Sequence, residues 1–173
     1  MANSTLKRYL PFTVTIFVVL LDQITKALVV KFIPENTVFK SLFWDFLEII
    51  HVRNDAIAFS IGTSLNVPIK IIFFIILPII LMGLLIYCVC SKKTDKDFTY
   101  FQKWCLAGIA GGGIGNLIDR IFRHLRVVDW ISTDMYGFLG FDRFPTYNIA
   151  DASIVVSVVL ILLSFLIGEK KGE

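Results

Sequence analysis

The feature that most constrains this chain is a set of four apolar blocks, spanning about residues 9–30, 67–90, 104–122 and 149–167. Each is close to the roughly 20 residues that an α-helix needs to cross about 30 Å of hydrocarbon at 1.5 Å per residue. Hydrophobic residues make up 56% of the 173 and charged residues 18%, where soluble domains hold roughly 45–50% and about 25%. The surplus sits in the blocks, so lipid is the solvent for much of the chain. The expected fold class is an α-helical integral membrane protein with four transmembrane helices, one domain over residues 1–173. Pro78, inside the second block, is expected to kink that helix while neighbouring groups satisfy the freed carbonyl. Lys7 and Arg8 precede the first block as they would in a signal peptide. That block lacks a small-residue cleavage pattern and continues through Asp22 and Lys26, so it reads as an uncleaved helix.

Lys and Arg set the expected orientation. Lys7, Arg8, Lys92, Lys93, Lys96, Lys103, Lys170 and Lys171 crowd the short flanks on one side, and the other nine of the 17 are spread over longer segments and helix ends. The positive-inside rule then places both termini in the cytoplasm. Arg120, Arg123, Arg126 and Arg143 fall on the outer side and need local acids as partners. The outer segments are about 32–66 and 123–148. Phe43 to Val52 and Arg126 to Ile131 are rich in β-branched and aromatic residues, which predicts a small extracytoplasmic sheet on the bilayer surface. Trp44, Trp130 and Phe138 are its expected interfacial anchors. A net charge of +3 with no continuous basic stripe argues against nucleic acid. Cys88, Cys90 and Cys105 lack metal-ligand spacing and are expected as free thiols. His51 and His124, also without ligand spacing, are expected as interfacial polar side chains.

Ionisable residues inside spans are costly and tend to mark function. Asp22 lies roughly 20 Å in from Arg8 along its helix, and Asn116 and Asp119 lie about 20 and 24 Å past Lys103. Asn148 and Asp151 open the fourth helix from the outer side, so three helices bring polar groups to one depth. Asp22 and Lys26, spaced i,i+4, suit an internal ion pair. Asn116, Asp119, Arg120 and Arg123 share one face, and Asp119 can pair with either arginine. Gly108 with Gly112, and Gly111 with Gly115, form small-xxx-small spacings expected to pack helices within the protein. Asn148 is a good N-cap, with Asp151 three residues on at the positive end of the dipole. Asp129 sits in the apolar run Val127–Ile131, where an unpaired carboxylate is expensive. A second carboxyl sharing its proton makes that placement intelligible. In such a pair one group holds the proton and the other acts as base toward water, which suits amide hydrolysis without metal or cofactor.

Five pieces occur in order: Asp22-Gln23-Ile24-Thr25-Lys26, Arg53-Asn54, Gly115-Asn116-Leu117-Ile118-Asp119-Arg120, Val127-Val128-Asp129-Trp130 and Tyr147-Asn148-Ile149-Ala150-Asp151. Singly they are weak; together, on four spans, they make the chain resemble bacterial lipoprotein signal peptidase, or signal peptidase II, over nearly its whole length. The resemblance implies an aspartic endopeptidase of the bacterial cytoplasmic membrane. It would cleave diacylglyceryl-modified prolipoproteins on the amino side of the lipidated cysteine and be blocked by globomycin-like cyclic peptides. It also implies that Asp129 and Asp151 are the catalytic dyad. Asn54, Asn116, Asp119, Arg120, Asn148, Asp22 and Lys26 would support them or hold substrate, in a protein expected to act as a monomer. Spacing alone does not choose Asp129 over Asp119 as the partner of Asp151. Against the family pattern, Ala56 replaces the usual Gly, Ile57 an Ala and Tyr147 a Phe, and the stretch between Asp129 and Asp151 is slightly long. A transporter would need a polar route through the bilayer, and the second block carries no acid or base between Lys70 and Lys92. A purely structural role leaves Asp129 unexplained.

Overall fold

The computed structural model describes residues 2–55 and 66–168. Its helices are α1 (Ala2–Tyr9), α2 (Phe12–Phe32), α3 (Val67–Cys90), α4 (Tyr100–Phe122) and α5 (Ile149–Leu166), with three strands, β1 (Val38–Leu42), β2 (Leu47–Asn54) and β3 (Val127–Thr133). Among the described residues, three helical stretches are long and apolar enough to cross a membrane: Leu6–Phe32, Val67–Cys90 and Ile149–Leu166. The remaining predicted span, α4, is a helix of 23 residues but does not share that apolarity. The reason is its place in the bundle. It packs against α5, α2 and α3, and Gln102, Lys103, Gly108, Gly111, Gly112, Gly115 and Asp119 are among its buried residues. A helix wrapped by others does not need lipid-compatible side chains, whereas α3 and α5 expose Ile79, Ile80, Leu84, Val155, Val156 and Leu162 all along their outer faces.

The glycines of α4 serve packing inside the protein. A Cβ on Gly108 would collide with Ser157 and one on Gly112 with the Ala150 carbonyl, both on α5. At Gly111 and Gly115 it would press on Thr15 and on Asp22 of α2. The two small-residue faces therefore receive two different helices, which seats α2 and α5 close against α4.

At Pro78 the helix does not break. A π-helical turn over Ile72–Ile76 precedes it, and the Leu77 amide reaches back to the Ile72 carbonyl. The widened turn takes up the disruption that the proline ring imposes on the preceding carbonyls. It also leaves Phe74 almost wholly buried, facing α4.

The sheet is antiparallel in the order β1-β2-β3. Where sequence alternation predicted a strand from residue 43, Phe43, Trp44 and Asp45 adopt left-handed backbone and turn the chain between β1 and β2. Trp44 and Phe138 are exposed, while Trp130 is partly buried against the Val29, Ile33 and Val128 core. His51 is buried too, its Nδ1 2.8 Å from the Ile33 carbonyl, so it ties β2 to the end of α2. The three cysteines are free thiols.

Candidate active site

The polar residues predicted from five separate segments meet where the sheet caps the helix bundle. Two local devices deliver the carboxylates. Asn148 caps α5: its Oδ1 accepts from the Asp151 amide at 3.0 Å while Asp151 Oδ2 accepts from the Asn148 amide at 3.2 Å. Just before it, Tyr147 pairs with Ile131 of β3 through both backbone groups, at 2.9 and 3.0 Å. That short ladder lays Asn148 beside Asp129, and Asn148 Nδ2 donates to Asp129 Oδ1 at 2.7 Å. One asparagine thus touches both acids.

A register shift in β2 completes the arrangement. Leu47, Glu48 and Ile49 pair with Thr133, Ser132 and Ile131, but Val52, Arg53 and Asn54 pair with Asp129, Val128 and Val127, one residue out of step. Side chains alternate along a strand, so a one-residue slip exchanges the faces. With the shift, Asn54 shares the face of Asp129, and its Nδ2 donates to Asp129 Oδ2 at 3.0 Å. Without it, Asn54 would point to the opposite face.

Beneath the acids lies a fully buried ion cluster. Lys26 Nζ is 2.8 Å from Asp22 Oδ2, 3.2 Å from Asp119 Oδ2 and 2.9 Å from Asn116 Oδ1. Asp22 Oδ1 accepts from the Ala150 amide of α5 at 3.1 Å, and Asp119 Oδ2 accepts from the Val128 amide of β3 at 2.9 Å. These carboxylates hold the elements that carry Asp151 and Asp129. Asn116 Nδ2 donates to Asp151 Oδ1 at 2.7 Å. Of the two arginines open to Asp119, Arg123 takes it at 3.5 Å. Arg120 instead lies over the Phe74 ring, 4.3 Å from its centre, and donates to the Leu125 carbonyl.

All nine predicted residues therefore come together. Gln23 was overlooked: its amide donates to Asp22, the Gly115 carbonyl and Asp119. Its place one residue after Asp22, on the next face of the helix, was the available signal. Phe74 was also missed, because only the π turn aims it at the site. The Tyr147 hydroxyl lies 3.1 Å from Thr133 Oγ1, which supplies the partner it needs. Arg143 binds Glu48 at 3.1 Å and Ser132 at 2.8 Å, which organises the stretch between Asp129 and Asp151. Ala56 and Ile57 lie outside the described residues.

Asp129 and Asp151 both line a cavity of 540 Å³, with Asn54, Asn116 and Arg120 around them and Phe73, Phe74, Pro78, Ile154 and Val155 on its apolar side. Burial, followed by the nearby Asp151 charge, pushes the Asp129 carboxyl up to about 7, against the opposing hydrogen bonds from Asn54 and Asn148. Near neutral pH it is therefore about half protonated, where an ordinary carboxyl is fully ionised. Two carboxyls on one cavity, one of them with its hold on a proton strengthened, can give and take protons at an amide.

Comparison with known proteins agrees with this chemistry. The family profile for signal peptidase (SPase) II matches residues 14–167. A lipoprotein signal peptidase of Borrelia hermsii (strain HS1 / DAH) is 40% identical over 98% of each chain. One of Treponema pallidum (strain Nichols) is 41% identical over 95% of this chain and 87% of that protein. A bacterial membrane enzyme structure obtained by the in meso method at 2.3 Å superposes with a TM-score of 0.76 at 30% identity, covering 94% of this chain and 93% of that one. A second such structure, at 1.9 Å, gives 0.71 at 31% identity. With the acids, the membrane helices and the matched length in accord, the chain belongs to the signal peptidase II family and is a membrane-embedded peptidase of bacterial lipoprotein precursors.

Proposed function

We propose that Asp129 and Asp151 are the catalytic dyad, and that the enzyme cleaves diacylglyceryl-modified prolipoproteins on the amino side of the lipidated cysteine. The observation that carries this reading is the joining of two carboxylates, from a strand and a helix, through Asn148 at one wall of a single cavity. The ionised carboxylate removes a proton from water as its oxygen attacks the scissile carbonyl carbon. The protonated carboxyl gives its proton to the carbonyl oxygen. Collapse of the tetrahedral intermediate breaks the C–N bond as one of its hydroxyls returns a proton to the carboxylate that gave it, and the proton taken from water leaves with the amine.

The apolar side of the cavity suits the substrate's membrane portion. Helices α3 and α5 both pack on α4 and hardly touch one another. The opening between them, with exposed Phe73 and Val155 at its rim, admits a lipidated peptide sideways from the bilayer. Asn54 and Arg120 face the bound peptide, and Asp22, Lys26, Asn116, Asp119 and Asn148 hold the dyad. In this reading the sheet lies on the outer surface of the cytoplasmic membrane, both termini are cytoplasmic, and the protein works as a monomer. Globomycin-like cyclic peptides occupy the same cavity.

The test is release of signal peptide from a synthetic diacylated lipopeptide by the full-length protein in detergent. Asp129→Asn and Asp151→Asn, each singly, should abolish cleavage while the protein stays folded. Normal turnover by either variant overturns the assignment.

A further inference from the structure

Lys26 lies wholly inside the protein, too far into the bundle to meet substrate, yet one of its bonds points toward the dyad. Its ammonium has three N–H groups, and the structure gives each a partner: Asp22, Asp119 and Asn116. Two of these form ion pairs that make the charges tolerable. The third is not needed for neutrality. An ammonium carries donors only, so the atom it meets on Asn116 must be the amide oxygen, which leaves the Asn116 N–H group to face Asp151.

Asn148 also approaches the Asn116 oxygen, at 3.2 Å, but its two hydrogens are divided among three acceptors: Asp129 Oδ1 at 2.7 Å, Asn116 Oδ1 and the Val128 carbonyl at 3.3 Å. It cannot by itself hold Asn116. Asp151 thus has a donor on each oxygen that cannot invert, the Asn116 amide on Oδ1 and the Asn148 backbone N–H on Oδ2. Donor-only surroundings favour the charged form of a carboxylate.

We infer that Lys26 is a positioning residue for hydrolysis: it locks the Asn116 amide with its N–H toward Asp151, which favours the ionised form of Asp151. The inference rests on the dyad reading above. The other charged groups around Asp151 are Asp129 on β3, Asp22 on α2 and Arg120 on α4, with Asp119 of α4 paired to Lys26; Lys70 of α3 is engaged with Asp55 at 3.0 Å.

The experiment follows kcat and KM against pH for the full-length enzyme with the synthetic diacylated lipopeptide. Asn116→Ala removes the link and leaves the ion pairs of Lys26 intact. It should lower kcat about tenfold or more, hold KM within about twofold and move the acid limb of the kcat profile to higher pH. Lys26→Gln is made together with Asp22→Asn, so that Asp119 keeps Arg123 and no carboxylate is stranded, and is compared with Asp22→Asn alone. It should shift the acid limb in the same direction, and the shift should vanish when Asn116 is already alanine. An unmoved acid limb in Asn116→Ala overturns the inference even where the lysine variant does not fold. Additive effects of the two changes overturn it as well. Turnover by Asp151→Asn would instead sink the dyad reading itself, so the two failures are told apart.

Discussion

Two ion clusters of opposite composition stand at the two ends of the helix bundle. At the end away from the sheet one acid meets two bases: Asp95 accepts from Arg8 at 2.7 Å and pairs with Lys103. At the sheet end one base meets two acids, Lys26 with Asp22 and Asp119. The Asp95 side chain is 47% exposed, whereas Lys26, Asp22 and Asp119 are all 0% exposed. Exposure decides what each cluster can do. Water reaches Asp95 and screens its pair with Arg8, a kind of pair that contributes little to stability, although Lys103 on its other side is buried. The Lys26 cluster has no such alternative solvent, so removing one member strands a charge. It is also the one that grips α5 and β3, which carry the acids of the site.

Substituting the dyad should widen this contrast most. Asp129→Asn or Asp151→Asn should cost kcat at least about 10³-fold, while Asp95→Asn, an equally acidic side chain lost at the other end, should leave lipopeptide cleavage within about twofold. Equal losses would dissolve the distinction between the two ends. Next comes stability, read from thermal unfolding in detergent: Lys26→Met should lose about 3–5 kcal/mol, and Asp95→Asn, which keeps an oxygen facing Arg8 and Lys103, a smaller amount.

A smaller effect is expected from two glycines. Gly112→Ala drives a methyl group into the Ala150 carbonyl at the start of α5, so it should displace Asp151 and lower kcat roughly tenfold. Gly83→Ala meets nothing within 4 Å and should leave kcat unchanged. The smallest effect lies in the pH response. Asp129 is raised from 3.8 to about 7, so the folded state binds its proton more tightly than the unfolded chain. Its contribution to stability is full below the ordinary carboxylate range and is lost as pH rises through about 7. Activity that needs this proton should fall by about half near that pH. Asp95 behaves oppositely. Arg8 first, against burial, and then Lys103 hold it down to about 2, so its pairing survives acidification until pH falls toward that value. A kcat that rose through neutral pH would exchange the roles of the acids.

Much of this was legible in the residues because it is local. The Asp22–Lys26 pair follows from one helical turn, the Asn148–Asp151 capping box from a four-residue pattern, and the glycine spacings from helix periodicity. Each of those interactions closes within one helix or along one face. The choice between Asp119 and Asp129 as neighbour of Asp151 was of another kind. It depends on Tyr147 pairing with Ile131, two residues beyond Asp129, and nothing local announces that ladder. The same holds for Asn54, whose side chain reaches Asp129 only because β2 slips by one residue against β3.

The sequence by itself determined that this chain lives in a membrane, where its helices run and which polar residues lie at one depth, because hydrophobic burial and helix geometry act residue by residue. The tertiary structure alone decided which carboxyls meet at the cavity, which arginine serves Asp119, and that α4 is sheathed by its neighbours. Those outcomes depend on the distance and burial between segments far apart along the chain, and a one-residue change of register would have altered them without changing the composition of any segment.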